Sequence, residues 1–331
     1  MDEATARQQL VDTGKLLLEK KLVARTWGNV SVRLDDERFL ITPSGLDYTR
    51  TTPEDIVIYD RVKGTYEGTR KPSSEKGVHA AAYELFPDVN FVIHTHQTYA
   101  TALGLAGWAD MDITEEERAR LGGLARAEYG LPGQKKLRNN VRRALASGAR
   151  VVLMKCHGAL ICGADMDDAL AKAELLEEIC RRNCKGLDAD AKQAGESKEQ
   201  DIMEKISAEY PDAQLVQTDA LLTRANGKKA IVAQLDDMAQ MAGRKIPAVK
   251  RKPKKVIKAL RRHNAVLVRS LGCIVRGRDA DDTEALGILA DKAAVSALHT
   301  AACGSKMKLS AFDTALMHAV YKMKYSKKKE G

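Results

Sequence analysis

The order of short strand-like and longer helix-like segments predicts an α/β fold in two units. Three observations carry this. Apolar residues alternate at period two in some segments and recur at helical spacing in others. The chain has 331 residues, against ~100–200 for a usual domain. Residues after about 200 also echo a pattern found before 186.

The elements follow in order. Residues 4–20 read as an amphipathic helix with Leu10, Leu16, Leu17 and Leu18 toward a core. Asn29 to Arg33 alternates as a strand, the DDER segment turns, and Phe39 to Thr42 forms a second strand. ITPSG ends in a glycine turn, and Asp55 to Tyr59 is another short strand. Pro72, Ser73 and Ser74 precede a run of helix formers, which places Glu75 in a first helical turn; Pro87 and Asp88 stop that helix. Asn90 to His94 reads as a buried strand and Gln97 to Leu105 as a helix. GWADMDITEEERARLGG is polar and acidic, a surface loop with a short helix. A helix starts at Gly133, buried strands cover Arg150 to Lys155 and Gly158 to Gly163, and Asp165 caps a helix running to about Lys185.

Polar, small residues then mark a linker, so the chain divides into 1–187, a linker 188–200, and a second unit 201–331. The second unit reads as a truncated, degenerate repeat of the first. HGALICGADMDDALAKAEL from His157 matches LGCIVRGRDADDTEALGIL from Leu271, with seven identities over positions 158–175, including Gly158/Gly272 and Gly163/Gly277. FPDVNFVIHTH pairs without a gap with YPDAQLVQTDA, which sets His94 opposite Thr218 and His96 opposite Ala220; His157 faces Leu271. No counterpart of residues 1–70 follows.

Composition bounds the class. Hydrophobic content of 44% and charged content of 30% are those of a globular chain. No apolar run approaches the ~20 residues that span a bilayer. The N-terminal MDEATARQQL lacks a secretion signal's apolar core, so the expected location is cytoplasmic. Six scattered cysteines form no disulfide framework, and Cys180 and Cys184 read as a structural pair on a helix. The net charge is +9, and no Asp or Glu occurs from Met238 to Gly277. That basic stretch, densest over 244–262, reads as a solvated face; no aromatic interleaving accompanies it to suggest nucleic acid.

His94 and His96 sit two apart at a strand end, where side chains at i and i+2 share a face. His157 ends another buried strand. Three imidazoles with an open position are the arrangement of a catalytic zinc. Spacing alone leaves a second reading open, since histidines at strand ends also cap or hydrogen-bond locally. Glu75 is either a favourable helix-terminus charge or, near a metal, a proton carrier. Asn29, Ser44, Gly45, Ser73 and Ser74 are turn and cap residues whose N–H groups and hydroxyls suit a phosphate.

Jointly the segments TWGNVSVR, ITPSG, KPSSEKGVHAAAYELFPD, VIHTH, AEYGLPGQKKL and CHGALICG, in this order over residues 1–185, resemble the class II aldolase/adducin family, most closely its L-fuculose-phosphate aldolase type. The resemblance implies an α/β/α sandwich around a largely antiparallel sheet. It implies Zn²⁺, or another divalent metal, on His94, His96 and His157, with Glu75 as the proton shuttle. The position of Glu75 is Asp in the related pentulose-phosphate epimerases, which favours an aldolase. Thr26, Asn29, Ser44, Gly45, Ser73 and Ser74 would hold the phosphate of a sugar phosphate. The implied reaction is cleavage of a ketose 1-phosphate to dihydroxyacetone phosphate and a short aldehyde. Epimerase or dehydratase chemistry on the same scaffold, or an adducin-like interaction role, are its rivals.

Two departures stand out. The segment GWADMDITEEERARLGG lacks the tyrosine that family aldolases use as a proton donor; either Tyr129, a C-terminal tyrosine such as Tyr321 or Tyr325, or another group takes its place, or the reaction differs. The fused second unit suggests a homo-oligomer, either a dimer that forms a pseudo-tetramer or a tetramer.

Overall fold

The structure is a computed structural model, and it describes residues 2–187, 191, 193 and 195–326. Two compact units divide between Asn183 and Cys184. Residues 188–190, 192 and 194 of the expected linker lie outside the described residues, and a helix begins at Glu196.

The first unit has strands β1 (Asn29–Arg33), β2 (Arg38–Ile41), β3 (Val57–Asp60), β4 (Tyr66–Glu67), β5 (Phe91–Thr95), β6 (Leu124–Ala127), β7 (Val151–Met154) and β8 (Gly158–Gly163). They form one eight-stranded sheet in the order β4-β3-β2-β1-β5-β8-β7-β6. Every neighbouring pair is antiparallel except β6 and β7, so the expected largely antiparallel sheet is observed. Parallel pairing there follows from the long crossover through a helix that returns the chain to the same end of the sheet. Strand β6 is legible only in the fold: Arg126 interrupts its apolar pattern, and as an edge strand it is mostly half-buried.

Helices α1 (Glu3–Glu19), α2 (Lys76–Leu85), α3 (Thr98–Leu105), α4 (Glu115–Leu121), α5 (Lys135–Leu145) and α6 (Met166–Asn183) complete this unit. Period-two alternation sends Val152, Met154, Leu160 and Cys162 to one face, where Val78 and Ala82 of α2 and Leu137 and Val141 of α5 cover them. Helices α1, α3 and α6 pack on the other face. The expected α/β/α layering is therefore present. Cys180 is buried on α6, whereas Cys184 lies beyond the helix end.

The second unit contains α7 (Glu196–Ser207), β9 (Gln214–Val216), α8 (Asp219–Asn226), β10 (Ile231–Val232), α9 (Asp236–Met241), β11 (Lys245–Ile246), β12 (Ala248–Val249), α10 (Pro253–Leu260), β13 (Ala265–Val268), β14 (Gly272–Val275), α11 (Ala280–Ala302) and α12 (Ala311–Ser326). Its four-stranded sheet runs β12-β13-β14-β9. Only β12 and β13 are parallel, the same senses as in β6-β7-β8-β5. The register agrees too: Val152 faces Leu160, and 114 residues later Val266 faces Ile274. The turns between these strands carry Cys156 at φ 68° and Ser270 at φ 60°. Ile202 and Ile206 of α7 and Val256 and Leu260 of α10 cover one face, while α8 and α11 pack on the sheet as well.

One sequence pairing is corrected. His94 pairs with Leu160, and Ile274, 114 residues on from Leu160, pairs with Leu215. By this register His94 corresponds to Leu215 and His96 to Gln217, rather than to Thr218 and Ala220. Gln97 and Thr218 likewise occupy the same N-cap position, before α3 and α8. The second unit is three residues shorter between its Pro–Asp turn and the strand end. An ungapped match anchored on that turn hides the difference. No described helix is long and apolar enough to cross a membrane.

Candidate metal centre

The site forms where β5 ends beside the turn into β8. His94 is the fourth residue of β5 and pairs with Asn29 on one side and Leu160 on the other. His96 lies just past the strand, its N–H donating to Leu22 O at 3.1 Å. His157 is in the turn between β7 and β8 rather than at the end of a strand. The left-handed Cys156 breaks β7 after Met154, and His157 N–H donates back to Met154 O at 3.0 Å. Close approach here depends on two glycines. A Cβ on Gly158 would sit 2.0 Å from Thr95 O, and one on Gly28, itself at φ +77°, would sit 2.5 Å from His94 O.

The three rings form a near-equilateral triangle, with centroids 4.7 Å (His94–His96), 4.9 Å (His94–His157) and 4.9 Å (His96–His157) apart. Trp27 stacks on His96 with centroids 6.2 Å apart. Glu75 completes the group: its Oε1 lies 2.7 Å from His157 Nε2 and its Oε2 3.1 Å from His94 Nε2. One ligand atom from each of the four residues falls within 4.8 Å of every other, and all four are buried. The helix begins at Lys76, so Glu75 is its N-cap residue and not part of its first turn. It makes no capping bond because its carboxylate turns to the imidazoles; Ser73 Oγ instead accepts the Glu75 N–H at 3.2 Å.

The donor chemistry fits a cation. His94 Nδ1 lies 2.9 Å from Ala159 O. A carbonyl only accepts, so Nδ1 carries a proton, and Nε2 is the nitrogen whose lone pair a cation at this site would take up in place of a proton. That Nε2 is 3.1 Å from His96 Nε2 and 3.1 Å from Glu75 Oε2. Electron-rich atoms so close together are stabilised by a positive charge between them, and three imidazoles with a carboxylate are a zinc-type donor set. Burial alone would raise the Glu75 carboxyl, but positive charge on the His157 and His94 imidazoles outweighs it and holds the group well below the usual carboxylate range.

Behind Glu75 runs a buried polar chain absent from the sequence reading. The carboxylate can only accept, so Asn29 Nδ2 donates to Glu75 Oε2 at 3.2 Å. Asn29 Oδ1 then accepts from His79 Nε2 at 2.5 Å, which leaves His79 Nδ1 to accept from Ser31 Oγ at 2.6 Å. Tyr83 OH lies 2.7 Å from Ser31 Oγ and, with the Ser31 hydroxyl proton committed, donates to it. Burial, then the charge of His94, depresses His79 to about 3, against a smaller opposing effect of Glu75, so the ring is neutral. The spacing Glu75, His79, Tyr83 at every fourth residue, one helix face, was the signal available in the sequence.

The expected phosphate residues are brought together in part. An isolated bridge between Pro43 and Pro72 sets the ITPSG turn beside the PSSE turn, with Ser44 N–H donating to Lys71 O at 2.9 Å. Ser44 and Ser74 are exposed, Thr26 and Gly45 half-buried, and Ser73 buried. The Asn29 amide is bonded to Glu75 and His79. A cavity of about 130 Å³ beside Glu75 is lined also by Ser74, Gly133, Lys135 and Arg138. Lys76 lines it too, and none of its three cations was among the expected site residues. Tyr129 lies in the loop between β6 and α5, Tyr321 belongs to the second unit, and the side chain of Tyr325 lies outside what the structure describes.

Comparison with known proteins agrees with this geometry. Residues 8–184 match the Class II Aldolase and Adducin N-terminal domain. An L-fuculose phosphate aldolase from Methanococcus maripaludis is 33% identical over 169 residues, which cover 51% of this chain and 91% of that protein. A 3-oxo-tetronate 4-phosphate decarboxylase from Haemophilus influenzae is 31% identical over 186 residues, 55% of this chain and 88% of that one. An L-ribulose-5-phosphate 4-epimerase from Salmonella paratyphi B is 32% identical over 191 residues, 53% and 82% respectively. The crystal structure of YgbL from Klebsiella pneumoniae superposes with a TM-score of 0.50 at 26% identity, covering 55% of this chain and 89% of that one. With a family match over more than half its length and a buried histidine–carboxylate cluster in the matched half, this chain belongs to the class II aldolase/adducin family.

Proposed function

We propose that the first unit is a zinc-dependent aldolase that cleaves a ketose 1-phosphate to dihydroxyacetone phosphate and a short aldehyde. The observation that carries this reading is the convergence of three imidazoles and Glu75 within 4.8 Å of one another. His94, His96 and His157 would hold the ion, which when bound supplies Lewis-acid polarisation of the substrate carbonyl. Glu75 is the proton carrier: its carboxylate takes the hydroxyl proton of the departing aldehyde half and returns it to the carbon released when the C–C bond breaks, and Asn29 fixes its Oε2. The buried walls of the site keep water from that carbon. Thr26, Ser44, Gly45, Ser73 and Ser74 bind the phosphate, with Lys135 and Arg138 of the adjoining cavity adding charge.

Within the same proposal the second unit is a degenerate copy without a metal site, supported by the shared strand order and register. Leu215, Gln217 and Leu271 stand where the three histidines stand in the first unit. The chain acts as a homo-oligomer in which two active and two degenerate units form a pseudo-tetramer; a monomeric mass in solution would defeat this.

The test is a panel of ketose 1-phosphates scored for released dihydroxyacetone phosphate, with and without chelator. Release that chelator abolishes is expected. Metal-loaded protein that releases none from any member overturns the reading. Glu75→Gln is expected to abolish turnover while metal content stays unchanged; an undiminished rate would remove Glu75 from its role.

A further inference from the structure

The basic stretch around residues 244–262 does not lie wholly on a solvated face. Past the end of α10 its last members enter a cavity of about 520 Å³ in the second unit, between the start of β13, the end of β14 and α12. Arg261, Arg262, Arg276, Arg278 and Lys322 line it, with Asp282 as the one carboxylate of the lining. Arg278 pairs with Asp282 at 3.1 Å, and Arg261 reaches Glu209 at 3.3 Å. Even with Glu209 counted, cations exceed carboxylates by three. Gathering like charges into one concavity is unfavourable unless something of opposite sign neutralises them. The lysines of α10, Lys254, Lys255 and Lys258, are by contrast exposed to solvent.

The walls are built. Arg276 donates through Nε (3.0 Å) and Nη2 (2.7 Å) to Leu260 O, and its guanidinium lies 4.5 Å from the Tyr210 ring centre. Asn264 Nδ2 donates to Met241 O at 2.8 Å, and His318 Nδ1 donates to Gln240 O at 2.7 Å. Three lining side chains are thus held by main-chain carbonyls, which lowers the entropy lost on binding. Burial and the charges of Lys245 and Arg262 depress His263, in keeping with a positive interior. The residues 114 positions before Arg262, Arg276 and Arg278 are Gly148, Cys162 and Ala164, so none of these three arginines has a cation at the matching position of the first unit. The cavity also lies at the end of β13 and β14 away from their connecting turn, whereas the metal centre adjoins the β7–β8 turn.

We infer that this cavity is a second binding site, for a small phosphorylated molecule carrying at least two negative charges. Its volume falls within the ~300–1,000 Å³ of small-ligand sites, and guanidinium forks match phosphate geometry. Tyr321 is the lone aromatic of the lining; single-stranded nucleic acid is instead gripped by successive aromatic platforms.

Calorimetric titration of the full chain with inorganic pyrophosphate, with ADP and with a mixed-sequence oligonucleotide tests this. Pyrophosphate and ADP are expected to bind one per chain. Tighter binding of ADP than of pyrophosphate indicates a nucleoside-reading site, and equal binding indicates a phosphate-reading one. Arg262→Glu/Lys322→Glu, at two exposed positions, should weaken both at least about tenfold, and the milder Arg262→Ala should weaken them less. His94→Ala/His96→Ala should leave both unchanged, which separates this site from the metal centre. Absence of binding, equal affinity in the charge-reversed variant, or binding of the oligonucleotide alone would overturn the proposal.

Discussion

Replacing Gly158 with Ala tests how the metal centre is held. The residue follows the third histidine, and an added Cβ would lie 2.0 Å from Thr95 O and 3.3 Å from His94 Cε1. Real Cβ atoms essentially never approach closer than 3.0 Å, so β5 and β8 must part by at least 1.0 Å. The parting falls between His94 and Thr95 on one strand and the His157 turn on the other. Metal–ligand distances tolerate only about ±0.2 Å, so the variant should lose metal affinity by about 10–100-fold. Overpacking should cost a further ~1–3 kcal/mol of stability. Competition with a chromophoric chelator reads the first effect and denaturant titration the second. A variant with both quantities equal to the parent's would refute the idea that this backbone approach sets the ligand triangle. Gly272→Ala supplies the comparison: its Cβ would meet Val216 O at 2.4 Å, with φ already at +107°. It should lower stability and leave metal affinity intact.

Other tests address the second unit and the surface. Lys292 and Asp237 form an ion pair, each only 2% exposed; Lys292→Met takes the paired cation from a buried carboxylate and should cost ~3–5 kcal/mol in denaturant, much of it recovered in Lys292→Met/Asp237→Leu. Equal losses in the single and double variants would contradict that account. Glu117 is held down to about 2, first by its bond to Arg182 and then by the Thr114 N–H. A folded-state value below the ordinary 4.5 means its contribution is complete above 4.5 and is lost as pH falls toward about 2. Melting temperature should therefore fall less steeply over that window in Glu117→Gln than in the parent.

Much of the first unit was legible because its strands are buried and its turns use turn residues. Gly158 to Gly163 and Asn29 to Arg33 have the bounds their patterns suggest. Strand β6 was hidden, since an edge strand needs no continuous apolar run. The Asn29–His79–Ser31–Tyr83 chain was hidden for another reason. Its members lie on β1 and α2, and only their packing turns four ordinary polar residues into one buried network behind Glu75.

The sequence by itself brought forward His94, His96 and His157 as candidate metal ligands, through an H-x-H at a strand end and a third histidine before a glycine; spacing left local capping open, and the family resemblance of the surrounding motifs favoured a metal. It also determined that the second half lacks those histidines under either pairing. The tertiary structure decided what the local pattern left open. It fixed the proton of His94 on Nδ1 through Ala159 O, turned Glu75 from helix capping to the imidazoles, and shifted the pairing of the second unit by three residues. It also folded part of the basic stretch into a cavity. Each of these depends on partners distant in the chain, and no local pattern specifies a distance between two segments that meet only when the sheet closes.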